Sequence, residues 1–404
     1  MKTLCRRKGL VVFIIASVFI LLGYGGRAPM MIEKIGDYTA QLFTGDLSFH
    51  KFTSNIEELI TNNLTYHDAL IDLNSLLQRS MGENYIVKDS SPIVKMQNGY
   101  LVNEQSLLAD QKIDECSEKI EAFYRYARDA GAGFLYVMCP TKGYHGAFPD
   151  GIENNIPANC DRFARALTDR GIPSLILQDR MDEAGLREEE AYFITDPHWT
   201  PETGLWAMGE ICGTLDDLYG FDYSAEYADL SNYEIETYED WFLGSLGKKT
   251  GRYFSELGVD DIDLITPKFE TQLTEAQPFK EEMRTGEFLD TVLFMENLEE
   301  RDFYGKNPYA TYSGGDFRLQ ILTNHLNPNG KRMLVIRDSF ACAVTPFLAL
   351  EASEIYTVDL RNYSYYVGEK LSAYDLIEEY DPDYVLVIYT GVSPADGSGR
   401  LDFE

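Results

Sequence analysis

From about residue 91 the chain alternates short apolar runs with amphipathic stretches. Ile93-Val94-Lys95-Met96 and Tyr100-Leu101-Val102 flank Gln97-Asn98-Gly99. An Asn-Gly pair between apolar runs predicts a tight hairpin. Helical spacing of apolar residues predicts a helix over 113–130 closed by Gly131, and another over 159–170 closed by Gly171. The runs 133–138, 174–177, 333–336, 355–358 and 384–389 are short and apolar without alternation, the mark of strands buried on both faces. Helical stretches over 201–218, 341–350 and 373–380 lie among them. Strands alternating with helices predict an α/β fold, a mostly parallel sheet flanked by helices. Residues 219–320 break the rhythm. They are rich in Asp, Glu, Tyr and Gly, and are expected to form an insertion within the same domain.

The first 90 residues read differently. Lys2, Arg6, Arg7 and Lys8 precede an uncharged run over 9–26, close to the ~20 residues that a membrane span needs. Basic residues before such a run predict a cytoplasmic N-terminus and an exported remainder. A cleaved signal peptide is the alternative, although no clean small-x-small site follows. Residues 31–90 keep apolar positions at helix spacing, as in Ile56–Ile60 and 69–77. The expected organisation is a membrane anchor or signal segment over 1–28, a helical membrane-proximal segment over 29–90, and an α/β domain over 91–404.

Charge narrows the partners. The formal net charge is −31 over 404 residues, and the basic cluster sits at the N-terminus. An acidic exported domain disfavours nucleic acid, itself a polyanion. Of the six cysteines, the five in the expected exported part, Cys116, Cys139, Cys160, Cys212 and Cys342, are odd in number, and all of these but Cys160 lie among apolar or helical-looking neighbours, so few or no disulfides are expected. Neither the cysteines nor His50, His67, His145 and His325 have metal-binding spacing, and no metal or cofactor is expected.

Chemistry concentrates in two places. Thr195-Asp196-Pro197-His198-Trp199-Thr200-Pro201 puts a carboxylate two residues before an imidazole. An Asp can hold one ring nitrogen of a histidine and leave the other free to act as a base. Pro197 biases the segment away from helix, and Thr200 with Pro201 reads as a helix start. Far along the chain, Met333–Ile336 runs through Arg337 and Asp338 into Ser339. A serine at a strand-to-helix corner stands at the carboxyl end of the sheet, where open α/β folds place their sites, with helix-start amides nearby for an oxyanion. The bland alternatives are that Asp196 and His198 only stabilise a turn, and that Asp338-Ser339 only caps a helix.

Gly244-Ser245-Leu246-Gly247-Lys248-Lys249-Thr250-Gly251-Arg252 is a basic, glycine-rich island in acidic surroundings. Lys248, Lys249 and Arg252 could meet an anionic or hydroxyl-rich glycan, or could be ordinary solvated cations. Ser245 is a weaker candidate nucleophile, since no strand precedes it.

These motifs, with Thr345-Pro346-Phe347-Leu348 and Ile355-Tyr356-Thr357-Val358-Asp359-Leu360-Arg361, resemble the DHHW family and the AlgX/AlgJ-type SGNH-hydrolase-like proteins. The likeness spans most of residues 90–390. Pro197 stands where the family name has its first His, with Asp196, His198 and Trp199 matching, and Arg337 where SGNH enzymes have the Gly of Gly-Asp-Ser. The Asp-x-His precedes the serine, the permuted order of the AlgX/AlgJ type. The resemblance implies an SGNH-hydrolase-like fold and O-acetyl transfer to an extracellular polysaccharide. It also implies a membrane-bound O-acyltransferase as acyl supplier. Ser339 would take the acyl group, His198 move the proton and Asp196 orient His198. Trp199 and Arg337 join the three cations of the island as expected substrate contacts. A carbohydrate esterase with the same residues, or a non-catalytic glycan-binding protein, stays open.

Overall fold

The computed structural model describes residues 25–404 except 46, 49–50, 54, 57–58, 60–62, 64–65, 89–90, 362–365 and 367. The expected anchor over 1–28 lies almost wholly outside the described residues. No helix among those described is long and apolar enough to cross a membrane. The chain divides into two compact units, meeting at Ser80 and Met81. The first contains helices Ala28–Thr44 and His67–Ser80, the former closed by Gly45 at φ 84°. The helical character expected up to residue 90 therefore ends at Ser80. Tyr85–Lys88 is a strand, consistent with β-branched Ile86 and Val87 after Gly82.

The second unit contains strands β1 (Tyr85–Lys88), β2 (Ser91–Lys95), β3 (Leu101–Asn103), β4 (Gly133–Cys139), β5 (Ser174–Ile176), β6 (Tyr233–Phe242), β7 (Asp260–Pro267), β8 (Leu273–Gln277), β9 (Glu282–Gly286), β10 (Leu319–Asn324), β11 (Arg332–Arg337), β12 (Glu354–Val358) and β13 (Tyr384–Thr390). Eight of them make one sheet in the order β5-β4-β13-β11-β12-β10-β8-β9. The five strands from β5 to β12 are parallel, and β10, β8 and β9 extend the sheet antiparallel. The expected hairpin is β2–β3, with Gly99 at φ 87° in its turn.

Alternate residues of the parallel strands enter opposite cores. Leu135, Val137, Val335, Leu386 and Ile388 face one, where helix Pro201–Tyr219 packs Leu205, Met208, Ile211 and Leu215. Phe134, Tyr136, Leu334, Ile336, Val385 and Val387 face the other, with Ile120 and Phe123 of helix Asp110–Asp129. Burial on both faces explains why these strands are continuously apolar. Each such side chain contributes roughly 1.5–3 kcal/mol.

Residues 219–320 do more than sit beside the sheet, because β8 and β9 are part of it. The inward positions of β8 are Leu273, Glu275 and Gln277, all buried, with the Gln277 and Gln320 amides donating to Glu275 Oε1 at 3.0 and 2.9 Å. Polar residues on an inward face hide the strand from a hydropathy reading. The five cysteines are free and buried.

The connection leaving β4 runs outward to β5, and that leaving β11 runs the other way to β12. Between them, at the carboxyl ends of the parallel strands, lies the point where the connections diverge, the usual place for a site in an open α/β sheet.

Candidate active site

Ser339 stands one residue beyond the end of β11, after Asp338, and opens a short 3-10 turn, Ser339–Ala343. Asp338 caps that turn, its Oδ1 accepting from the Phe340 amide at 3.1 Å. Its Oδ2 accepts from the Thr390 amide and hydroxyl, both at 3.0 Å, and from the Ser393 hydroxyl at 3.2 Å. Capping thus falls to Asp338, and the Ser339 hydroxyl is spent elsewhere.

It meets His198. Ser339 Oγ lies 2.7 Å from His198 Nε2, and His198 Nδ1 lies 2.5 Å from Asp196 Oδ1. Asp196 and His198 share a loop closed by an antiparallel bridge between Tyr192 and Trp199. The loop leads into helix Pro201–Tyr219, where Thr200 accepts from the Thr203 amide at 3.3 Å and Pro201 takes the first turn. Gly204 of that helix lies against the serine turn, where a Cβ would come within 2.3 Å of the Ala343 carbonyl oxygen. That close approach brings helix start and serine turn together across 141 residues of sequence.

The Asp196 carboxylate is buried. Burial alone would raise it, but adjacent His198 and hydrogen bonds from the His198 and Ser245 amides outweigh that and hold it at about 2. It is therefore a permanent anion beside the imidazole. The His198 ring stacks on Tyr309, with centroids 4.3 Å apart and planes 14° from parallel. Tyr309 Oη donates to the Phe340 carbonyl at 3.2 Å, and Trp199 Nε1 donates to the same oxygen at 3.0 Å. The His198 side chain keeps 16% of its surface exposed, so the imidazole reaches solvent.

The glycine-rich island has a different place from the one expected. Ser245 donates its amide to Asp196 Oδ2 at 2.6 Å, Gly244 its amide to Thr195 Oγ1 at 2.8 Å, and Gly247 its amide to the Thr195 carbonyl at 2.9 Å. The island is a brace behind Asp196. Lys248 donates to the Lys306 carbonyl; burial lowers its pKa, partly offset by the Asp196 and Asp302 charges. Arg252 lies over the rings of Tyr253 and Phe303, 5.3 and 5.0 Å from their centroids. Lys249 is half-buried on the same short helix, Ser245–Thr250.

Two expected substrate contacts are corrected. Trp199 is wholly buried under Phe340, with ring centroids 5.3 Å apart. Arg337 is wholly buried, donating to Asp316 Oδ1 at 2.5 Å and to the Gly315 carbonyl at 2.8 Å. Strand alternation turns Arg337 into the protein, where Asp316 also pairs with Arg361 at 2.7 Å. Neither side chain presents a face to a substrate. His145 stands apart, 2.9 Å from Asp182, on a cavity of about 700 Å³ that none of Asp196, His198 and Ser339 lines.

Sequence reasoning missed Tyr309, Lys142 and Asp260. Lys142 follows the carboxyl end of β4 and donates to the carbonyls of Phe193, Ile194 and Asp196. Asp260 begins β7 and accepts from the amides of Ile194 and Thr195 and from the Thr195 hydroxyl. The only signal for Lys142 was its position just past a buried strand.

The fold is shared with solved structures. A DHHW family protein from Eubacterium siraeum superposes with a TM-score of 0.58 at 17% identity, over 79% of this chain and 97% of that one. Bacillus cereus PatB1, described with a sulfonyl adduct, superposes with a TM-score of 0.64 at 18% identity, over 78% of this chain and 100% of that one. The mixed α/β fold of this chain is the fold of these two structures. No protein-family model and no curated protein matches the chain by sequence.

Proposed function

We propose that this chain is an extracytoplasmic serine acyltransferase that passes an acetyl group to a hydroxyl of a cell-envelope or exopolysaccharide glycan. The observation that carries the reading is the hydrogen-bonded line from Asp196 through His198 to Ser339, at 2.5 and 2.7 Å. A serine hydroxyl is a weak nucleophile until a base stands within hydrogen-bond reach and is itself oriented. Ser339 Oγ attacks the donor carbonyl while its proton passes to His198 Nε2. The leaving group departs with that proton, and an acetyl ester remains on Ser339. A glycan hydroxyl then gives its proton to His198 and attacks the ester. The Ser339 oxygen leaves and recovers the proton. Asp196 stays ionised and holds the ring. The Ser339 amide is the donor proposed for the oxyanion.

Glycan acceptor and a membrane-bound acyl supplier come from the DHHW-type resemblance in the motifs around His198 and Ser339, and export from the basic residues and uncharged run over 2–26. Lys249 and Arg252, beside the brace, are proposed to face the acceptor. The test is turnover of an aryl acetate by the purified protein, with and without oligosaccharide acceptors. Acetylated sugar that is lost in Ser339→Ala supports transfer. Serine-dependent release of acetate alone, whatever the acceptor, marks an esterase. Glycan binding with no acylation of Ser339 marks a non-catalytic glycan-binding protein.

A further inference from the structure

We propose that Lys142 and Asp260 are positioning residues of this site, acting through the backbone of residues 193–196 to set where the Asp196 carboxylate stands. The proposal rests on the reading of Ser339, His198 and Asp196 given above. Lys142 is 2% exposed and Asp260 is 4% exposed. A buried charge is costly unless its hydrogen-bonding capacity is used. An ammonium has three donors, and Lys142 places all three on main-chain oxygens, those of Phe193 at 2.6 Å, Ile194 at 2.9 Å and Asp196 at 2.9 Å. Asp260 takes the Thr195 amide at 2.9 Å, together with the Ile194 amide and the Thr195 hydroxyl. One buried cation thus gathers the carbonyls of a short stretch, and one buried anion gathers its amides.

Apolar packing would hold a loop at less cost. Two opposite charges add direction, because each peptide plane must turn its oxygen one way and its N–H the other. The stretch so oriented runs into Asp196, whose own carbonyl is on Lys142. Burial pulls Lys142 down to about 8 and pushes Asp260 up to about 6, with the charge of each partly restoring the other. Lys142 donates three hydrogen bonds and Asp260 accepts three, the pattern of an ammonium and a carboxylate. Neither is hydrogen-bonded to Ser339 or His198, so their effect on chemistry passes through Asp196.

The test compares the wild-type protein with Lys142→Met and, in case a lone Asp260 charge prevents folding, with the doubly neutral Lys142→Met/Asp260→Asn. Two readouts are taken on folded protein: aryl acetate kinetics, and the downfield proton resonance of the His198 Nδ1–H bonded to Asp196. The expected result is a kcat lower by roughly 10²-fold with KM little changed, since small misplacements of catalytic groups cost about that much, and loss or a large shift of the resonance. Wild-type kcat and an unmoved resonance in either folded variant would overturn the proposal. If the wild type shows no Ser339-dependent turnover but the resonance is lost in the variants, positioning stands and the acyl-transfer reading falls.

Discussion

The His198 ring lies flat on Tyr309, 4.3 Å between centroids, while Tyr309 ties back to the Phe340 carbonyl one residue past Ser339. One buried tyrosine thereby sets the imidazole plane and is anchored to the serine turn. Tyr309→Phe keeps the stack and loses one hydrogen bond to an oxygen that Trp199 also serves. Its expected cost is about 1 kcal/mol of stability, with kcat within a few-fold of wild type. Tyr309→Leu removes the flat surface, and kcat is expected to fall about ten-fold or more. Denaturant melts and aryl acetate kinetics on both variants check this.

Gly244 lies against Asp196 so closely that a Cβ would come within 2.2 Å of the Asp196 Cβ and 2.6 Å of its nitrogen. The neighbour is backbone on a braced loop and cannot swing aside. Gly244→Ala is expected to destabilise by about 1–3 kcal/mol, as overpacking does, and to lower kcat by displacing Asp196. Gly213→Ala is the control. Its Cβ would meet only the Tyr223 hydroxyl at 3.4 Å, inside a helix that favours Ala over Gly. Thermal unfolding should separate the two in opposite directions.

Arg337 offers a different contrast. With the buried Asp359 and Arg361 and the partly buried Asp316 it forms an ionic cluster beneath the serine turn. Breaking such a cluster on one side leaves a charge uncompensated. Arg337→Met is therefore expected to lose about 3–5 kcal/mol of stability while leaving KM for the acceptor unchanged in the protein that remains folded. A rise in KM without loss of stability would instead restore Arg337 as a substrate contact.

The Asp196 carboxyl is held at about 2, below its ordinary 3.8. A carboxyl depressed by folding stabilises the fold above its unfolded value and ceases to do so as pH falls through its folded value. The stability gap between wild type and Asp196→Asn should be full above pH about 4, shrink toward pH 2, and contain a pH-dependent part of about 2 kcal/mol. Urea titrations at stepped pH measure it. A gap that widens on acidification would contradict the assignment.

Much of this architecture is legible along the chain because burial on both faces makes parallel strands continuously apolar. Helix 373–380 is read with the bounds it has, and the strands ending in Met138 and Ile336 are read to within a residue. β8 was not legible, since its inward positions include Glu275 and Gln277, whose burial depends on partners from another strand. The pairing of Asp196 with His198 is local, so the spacing already suggested it. The 2.7 Å approach of Ser339 depends on Gly204 meeting Ala343, a contact with no local signature. Arg337 and Trp199 looked like ligand contacts because a charge or an indole beside a catalytic motif resembles one. Only the fold shows which side of the strand or loop they leave from.

A serine nucleophile activated by a histidine reacts with sulfonyl fluorides, so such a reagent reports on Ser339 and His198 together. The full-length protein is treated with phenylmethylsulfonyl fluoride, its intact mass is measured, and the adduct is mapped by peptide sequencing. One adduct is expected, on Ser339, absent from Ser339→Ala and formed at least about 10²-fold more slowly in His198→Ala, where the base is removed. An unlabelled, folded wild-type protein, or an adduct on Ser245 that persists in Ser339→Ala, would contradict this expectation.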